Sequence, residues 1–214
     1  MKNEFHESIC AEGMSKSMTI FYTLGDNIYT NITNRCPCDC IFCIRKITDN
    51  MGEEKSLWLE REPTLDEIKA AFDEKNLSGE IEQINEIVFC GFGEPMERAD
   101  DVIKITQYIK KCVAKKVRLN TNGLVRLINP GFDMSSLAAL DAVSVSLNAD
   151  TADEYLRVTR PKFGAAAYDE VLRFAKDAKE FTDVSFSIVG ILEQYRVQNC
   201  RDISKSLGVS LRIR

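Results

Sequence analysis

Histidine is almost missing from this chain: there is one in 214 residues, His6, in a polar leader. A structural zinc site that does not use four thiols adds an imidazole, and none stands within the body of the sequence to supply it. Long apolar runs are missing as well. Nothing is long enough to span a bilayer, and no apolar segment near the start could serve as a signal, so the expected location is the cytoplasm, where disulfides are disfavoured. Excess positive charge is also absent. A net charge of −5 gives no support for broad binding to a phosphate backbone, and the small basic patch Lys110, Lys111, Lys115 and Lys116 is more simply a solvated helix end. Linker-like composition is absent too, and 44% hydrophobic with 29% charged residues is ordinary for one globular domain. Residues 1–17 read as a flexible leader and residues 18–214 as the domain. Met14 and Met18 leave the start of translation open.

Cysteine, by contrast, is concentrated. Of eight cysteines, Cys36, Cys38, Cys40 and Cys43 fall within one short stretch, while Cys10, Cys90, Cys112 and Cys200 are scattered. Cys36, Cys40 and Cys43 form a C-x3-C-x2-C array, and no other triple in the chain has that spacing. Such a loop can wrap three thiolates around three corners of a cubic iron-sulfur cluster and leave the fourth iron without a protein ligand. An open coordination position separates a catalytic metal site from a closed structural one. Zinc remains the alternative, although the paired C-x2-C knuckles usual for zinc are lacking. Cys38 is read as a small loop residue without a ligand role.

Strands and helices alternate along the rest of the chain. Thr19–Thr23 and Ile28–Thr33 favour extended structure around the turn formers Gly25, Asp26 and Asn27, which predicts a hairpin delivering the chain into the cysteine loop. Thr64 with Glu67 three residues on is a capping box that opens a helix. Ile84–Cys90 reads as a strand stopping at Gly91-Phe92-Gly93-Glu94-Pro95. A helix from Asp100 precedes a strand from Lys116 to Asn120, which ends in Thr121-Asn122-Gly123. A short helix near Ser135, a strand Ala142–Asn148, helices from Thr151 and Tyr168, a strand Val184–Val189, a helix before Gly208 and a strand Val209–Ile213 complete the pattern. This is an α/β fold with a parallel sheet and right-handed crossovers, a partial (β/α)6 TIM-like barrel carrying an N-terminal β-hairpin strand.

Within the strands, apolar residues alternate with polar ones. Val143, Val145 and Leu147 face away from Ser144, Ser146 and Asn148, and Val117 and Leu119 face away from Arg118, Asn120 and Asn122. Val184, Phe186 and Ile188 oppose Ser185 and Ser187, while Val209, Leu211 and Ile213 oppose Ser210, Arg212 and Arg214. The inner layer is therefore expected to be polar, either lining a wet cavity or lying open to solvent. Arg118, Arg212 and Arg214 there suggest a polar or anionic target. The polar stretch Thr48–Lys55, with Trp58 behind it, reads equally as a mobile lid or as a surface loop anchored by one tryptophan.

The cysteine loop after the first main strand, the Gly-Phe-Gly-Glu-Pro turn after the second and Thr-Asn-Gly after the third together resemble the radical S-adenosylmethionine superfamily, over the chain from about Thr19 onward. The resemblance implies a 4Fe-4S cluster on Cys36, Cys40 and Cys43, whose unique iron chelates S-adenosylmethionine. It implies that Glu94 accepts from the methionyl ammonium, that Gly91 and Gly93 allow close backbone approach, and that Phe42 lies near adenine. It places Asn122, Ser146 and Asn148 among the cofactor contacts and makes Arg160 the candidate for the carboxylate. Phe92 stands where the family often has a glycine. Asn31-x-Thr33-Asn34-Arg35-Cys36, Cys40-Ile41-Phe42-Cys43-Ile44-Arg45 and Leu57-Trp58-Leu59-Glu60-Arg61-Glu62-Pro63-Thr64 further resemble the small TatD-associated members. Expected partners are an electron donor such as flavodoxin or ferredoxin, a TatD-like hydrolase, and an unknown substrate. The 7-carboxy-7-deazaguanine synthases are similar small enzymes, but they carry a hydroxyl residue for magnesium where Ile44-Arg45 stands here. Glycyl-radical activating enzymes are a further alternative, and a metal-clipped interaction module without catalysis is one of another class. No second cysteine cluster is present for auxiliary centres.

Overall fold

Phe21–Leu24 (β1) turns into Asn27–Thr30 (β2) as an antiparallel hairpin with Tyr22 opposite Tyr29. The computed structural model describes residues 16–51 and 55–214. Most of the expected leader, with His6 and Cys10, and the centre of the expected lid lie outside the described residues. Glu86–Phe89 (β3), Lys116–Thr121 (β4), Ala142–Ser146 (β5), Asp183–Ile188 (β6) and Ser210–Ile213 (β7) add in chain order, each parallel to its predecessor. The product is one seven-stranded sheet in the order β1 to β7, with six parallel strands and one hairpin strand. Its outer strands do not pair, so it is the open partial barrel that the alternation implies.

The crossovers carry Leu65–Leu77 (α1), Glu80–Gln83 (α2), Ala99–Cys112 (α3), Val125–Ile128 (α4), Ala152–Thr159 (α5), Ala166–Ala178 (α6) and Gln194–Leu207 (α7). The capping box forms: the Thr64 N–H donates to Glu67 Oε2 at 2.8 Å and the Glu67 N–H to Thr64 Oγ1 at 3.2 Å. The short helix near Ser135 is a 3-10 turn, Met134–Ala139, capped by Asp133. Neither α2 nor α4 has a periodic signal of its own, because each is a single turn. Ser17, at the end of the expected leader, bridges to Leu59 and so already belongs to the fold.

Outward-facing strand residues make the main core. Ile87, Phe89, Val117, Leu119, Val143, Val145 and Phe186 are inaccessible, as are Ile68, Phe72, Val102, Ile105, Val171 and Phe174 of the helices. Each such side chain stabilises the fold by about 1.5–3 kcal/mol. Of the basic patch, Lys110 pairs with Asp141, and Lys115 caps the carbonyls of Glu82 and Ile84. Two of the four charges are thus spent within the protein.

The inner face divides in two. Along β4 to β7 it is polar, as expected. Along β1 to β3 it is covered by a second apolar cluster of Tyr22, Leu57 and Phe92, packed with Tyr29, Met51 and Trp58. Tyr22 and Tyr29 stack at 5.3 Å, and Trp58 meets Phe92 edge-on at the same distance. The stretch expected as a lid or anchored loop supplies part of this plug: the Leu57 N–H donates to Asp49 O at 2.7 Å, and Met51 and Trp58 pack inward.

Candidate functional site

Every motif singled out in the sequence falls just past the carboxyl end of a strand: the cysteine loop after β2, Gly91–Glu94 after β3, Asn122 after β4, Asn148 after β5. Barrels of alternating strands and helices gather their chemistry at that end.

The cysteine loop is held from both sides by backbone. On one side the Asp39 N–H donates to Thr159 O at 3.0 Å, Ile41 N–H to Val158 O at 2.9 Å and Lys162 N–H to Pro37 O at 2.8 Å, with Cys38 and Pro161 forming an antiparallel bridge. On the other side the Glu94 N–H donates to Arg35 O at 2.8 Å. Behind the loop two asparagines dock the segment before α1. Asn34 exchanges a pair of bonds with the Leu59 backbone, its Nδ2 donating at 2.8 Å and its Oδ1 accepting at 3.0 Å, and Asn31 Nδ2 donates to Leu57 O at 2.8 Å. Glu62 accepts from Thr33 Oγ1 and from Arg35. The first and last of the three sequence stretches that resemble the TatD-associated proteins are therefore one physical unit.

Cys36, Cys40 and Cys43 are half-buried and Cys38 is buried. Hydrogen bonding with Cys38, reinforced by Arg45 and Lys46, lowers the Cys40 thiol from its ordinary range against the opposing effect of burial. Burial raises Cys43. Hydrogen bonding with Cys36 and Cys40, and then burial, raise the Cys38 thiol above its ordinary range. Its thiol also lies 3.9 Å from Asn122 Nδ2. Cys38 is thus more than a small loop residue: it is a core side chain whose S–H lies among the thiols of the array. Sulfurs in such arrays are tuned by hydrogen bonds of this kind.

Glu94 is 5% exposed. Its carboxylate accepts from Thr121 Oγ1 at 2.6 Å, from the Asn122 N–H at 2.8 Å and from the Met96 N–H at 3.1 Å. Burial nevertheless outweighs these donors and raises its pKa to about 7. A carboxylate has about four lone-pair sites, so one stays available to a further donor. Thr121 is the partner that pattern reading passes over, although it opens the Thr-Asn-Gly motif. Asn122 joins three motifs, since its N–H reaches Glu94, its Nδ2 faces Cys38, and its Oδ1 accepts from the Leu124 N–H at 3.0 Å.

The glycines of the turn answer first to the protein. A Cβ on Gly93 would lie 2.2 Å from Thr33 O and 2.7 Å from Arg35 O, and one on Gly91 would lie 2.2 Å from Asn31 Oδ1. Their smallness lets the root of the cysteine loop lie against the turn. Phe92 points the other way, into the aromatic plug, which accounts for a large residue at that position.

The remaining expected contacts surround this corner. Phe42 is half-buried against the main core. Ser146 Oγ accepts from Arg214 Nη2 at 3.0 Å. Asn148 is left-handed at φ 56° and buried, and its Oδ1 has no partner among the described residues. Arg160 caps α5 in a left-handed conformation, and its side chain, 59% exposed, pairs with Asp39 at 3.7 Å. Arg118 differs from expectation. Its guanidinium pairs with Glu86 at 2.5 Å, so it is neutralised within the barrel rather than free for an anionic target.

Three thiols in a braced loop, a partnerless buried amide oxygen and a carboxylate with one unused lone pair fit a cluster with a small polar cofactor on its open iron. Among the described residues no three thiol, imidazole or carboxylate groups converge as a single metal ion would require. No helix there is long and apolar enough to cross a membrane.

Residues 30–197 match the model of a family described as the radical SAM superfamily. Among solved structures, native anSMEcpe with bound AdoMet and Cp18Cys peptide is similar at TM-score 0.57 and 16% identity, over 86% of this chain and 49% of its own. His6-tagged anSMEcpe with bound AdoMet gives TM-score 0.55 and 17% identity over the same shares of 86% and 49%. This chain spans about half the length of these neighbours, and at such identity the likeness is one of fold. No curated protein matches it.

Proposed function

The chain belongs to the radical SAM superfamily, and from that premise we propose that Cys36, Cys40 and Cys43 hold a 4Fe-4S cluster beside which S-adenosylmethionine is cleaved to act on a substrate in the barrel. Enzymes of this superfamily use that cluster and that cofactor. The observation that carries the reading is the loop itself: three half-buried thiols braced by backbone bonds against α5 and against the Glu94 turn, at the carboxyl ends of the strands. Cys36, Cys40 and Cys43 would hold the cluster, which when bound would supply the reducing electron for homolytic cleavage of S-adenosylmethionine and the radical hydrogen abstraction that follows.

The chain's own residues bind, orient and exclude water. Glu94 uses its remaining lone pair for the methionyl ammonium, a charge-assisted bond. Asn148 Oδ1 and Ser146 meet ribose hydroxyls, Arg160 exchanges Asp39 for the cofactor's carboxylate, and Phe42 flanks adenine. Ile41 and Ile47 are exposed on the cysteine loop and the segment after it, with Lys46 between them paired to Asp39, while Ile44 lines the cavity of the barrel. The exposed Ile41 and Ile47 offer an apolar docking point for an electron donor of the flavodoxin or ferredoxin kind. Membership of the TatD-associated group, with a TatD-like hydrolase as partner, is supported by the interlocked Asn31/Asn34 and Leu57/Leu59 segments. The test is anaerobic reconstitution with iron and sulfide, followed by assay for 5'-deoxyadenosine under strong reductant. A colourless protein that holds one zinc and makes no 5'-deoxyadenosine would return the chain to a metal-clipped interaction module.

A further inference from the structure

Between the aromatic plug and the polar strands lies a cavity of about 250 Å³. One wall is apolar, formed by Tyr22, Tyr29, Met51 and Phe92; the other carries Asn120, Ser144 and the guanidinium groups of Arg118, Arg212 and Arg214. Three cations thus face one small space. Arg118 is answered by Glu86, whereas Arg212 and Arg214 have no carboxylate within ion-pairing distance among the described residues. The one polar side-chain partner of Arg214 is the Ser146 hydroxyl, which is neutral. Arg212 and Arg214 keep a solvent-exposed side at the edge strand, but partial desolvation within the cavity and then the nearness of Arg212 and Arg118 still lower the Arg214 pKa from its usual value. A larger groove of about 590 Å³ lies near Arg35, Glu62 and Arg98, but its arginines pair within it, Arg35 with Glu62 and Arg98 with Asp101, leaving Lys104 and Asp100 without an ion pair among the described residues.

Crowded like charges in a partly desolvated space call for a counter-ion, and guanidinium groups present forks that match carboxylate and phosphate oxygens. We infer that this cavity is the substrate pocket and that it takes a small anion with a flat apolar body, its carboxylate or phosphate held by Arg212 and Arg214 and its body laid against Tyr29 and Phe92. The cavity is below the usual range of about 300–1,000 Å³ for drug-sized ligands, so the molecule is small. As a substrate assignment this rests on the radical-enzyme reading above. The oxyanion has two possible sources, the substrate or the carboxylate of S-adenosylmethionine, and the inference commits to the substrate.

The test is isothermal titration of the anaerobically reconstituted holoprotein with phenyl phosphate and with benzyl alcohol as a neutral analogue. Saturable binding of phenyl phosphate is expected, at least tenfold tighter than benzyl alcohol and changed less than threefold by saturating S-adenosylmethionine. Arg212→Gln and Arg214→Gln should each weaken it at least tenfold, and Arg212→Lys should lose less. Circular dichroism confirms that each variant is folded, and Arg212→Lys serves where a glutamine variant is not. Equal binding of the neutral analogue, undiminished binding by the glutamine variants, or no binding would overturn the inference. Competitive displacement by S-adenosylmethionine would overturn it too, by assigning the guanidinium groups to the cofactor. A parent protein that makes no 5'-deoxyadenosine yet binds phenyl phosphate through these arginines would sink the enzyme reading while the anion site stood.

Discussion

The two halves of the barrel's inner face are built on opposite terms. Toward β1–β3, aromatic and aliphatic side chains close on one another; Asn31 Nδ2 donates to Thr19 O and Leu57 O and Tyr22 Oη donates to Cys90 O, while Asn27 Oδ1, Thr30 Oγ1, Asn31 Oδ1 and Trp58 Nε1 are buried without partners among the described residues. Toward β5–β7, Asn148 Oδ1 and Ser187 Oγ are buried without partners, and two guanidinium groups lack counter-ions among the described residues. Buried polar groups are normally hydrogen-bonded, and leaving one unmet costs about 1–3 kcal/mol. Unmet polar atoms occur in both halves, so it is the apolar filling of the first and the guanidinium groups facing a cavity in the second that make one a wall and the other a site. The same contrast recurs within one loop, where Cys38 is enclosed and Cys36, Cys40 and Cys43 are half-open.

The loop offers the largest test of that contrast. Replacing Cys36, Cys40 or Cys43 by alanine should take reconstituted iron from about four per chain to near none, because loss of one thiolate exposes a second iron. Cys38→Ala should keep the iron and cost about 1 kcal/mol of stability as a small core truncation. Iron analysis of the four variants decides it, and iron loss in Cys38→Ala would place that thiol among the ligands.

Phe92 tests the wall. Phe92→Gly restores the small residue frequent at this turn but empties the centre of the plug, and should cost about 3–5 kcal/mol with a red shift of Trp58 emission. Urea unfolding measures it. A cost below about 1 kcal/mol would mean that the aromatic half is not a packed unit, and the contrast with the polar half would lose its basis.

How far the sequence disclosed this arrangement depended on the range of the interaction. Period-two alternation and the capping box are local, so the strands, α1 and the barrel class were legible, as were the three strand-end motifs. What escaped needed contacts between distant residues. Nothing in the pattern tells that Asn34 would mimic a strand toward Leu59, that Phe92 would seek Trp58, or that Glu86 would claim Arg118. Cys38 escaped because a lone cysteine carries no periodicity, and its burial follows only from the bridge to Pro161. The glycines were legible as necessary, but the structure shows that their room is taken by Thr33 and Asn31.

Glu94 stands on the border between the halves, and pH should reveal it. Its carboxyl is raised to about 7 by burial. The folded state then binds the proton more tightly than the unfolded state, so the contribution is fully present below about pH 4.5 and is lost as pH rises through about 7. Carboxylates held low by partners, such as Glu62 with Arg35 and Asp150 with Asn199 and Arg196, act in the opposite sense but below about pH 4.5. Stability of the apoprotein should therefore fall between about pH 4.5 and 7, by up to about 3 kcal/mol, and Glu94→Gln should remove that slope. A flat profile in the parent would mean that the three donors outweigh burial and that the carboxylate is charged throughout.

The smallest effect on stability is the most diagnostic for the site, and it comes from setting two buried asparagines side by side. Asn31→Ala strands the carbonyls of Thr19 and Leu57 and should cost about 2 kcal/mol in urea unfolding whether or not a cofactor is present. Asn148→Gly removes an amide oxygen that has no partner and relieves a left-handed backbone at φ 56°, a conformation that costs a side-chain-bearing residue about 1 kcal/mol. The lost side-chain burial offsets that relief, so apoprotein stability should move by less than about 1 kcal/mol. S-adenosylmethionine, titrated into the reconstituted protein, should nevertheless bind about tenfold more weakly, the equivalent of one hydrogen bond of about 1.4 kcal/mol. If Asn148→Gly instead destabilises the apoprotein as much as Asn31→Ala while cofactor affinity holds, the amide is structural and the polar half is less vacant than its partnerless atoms imply.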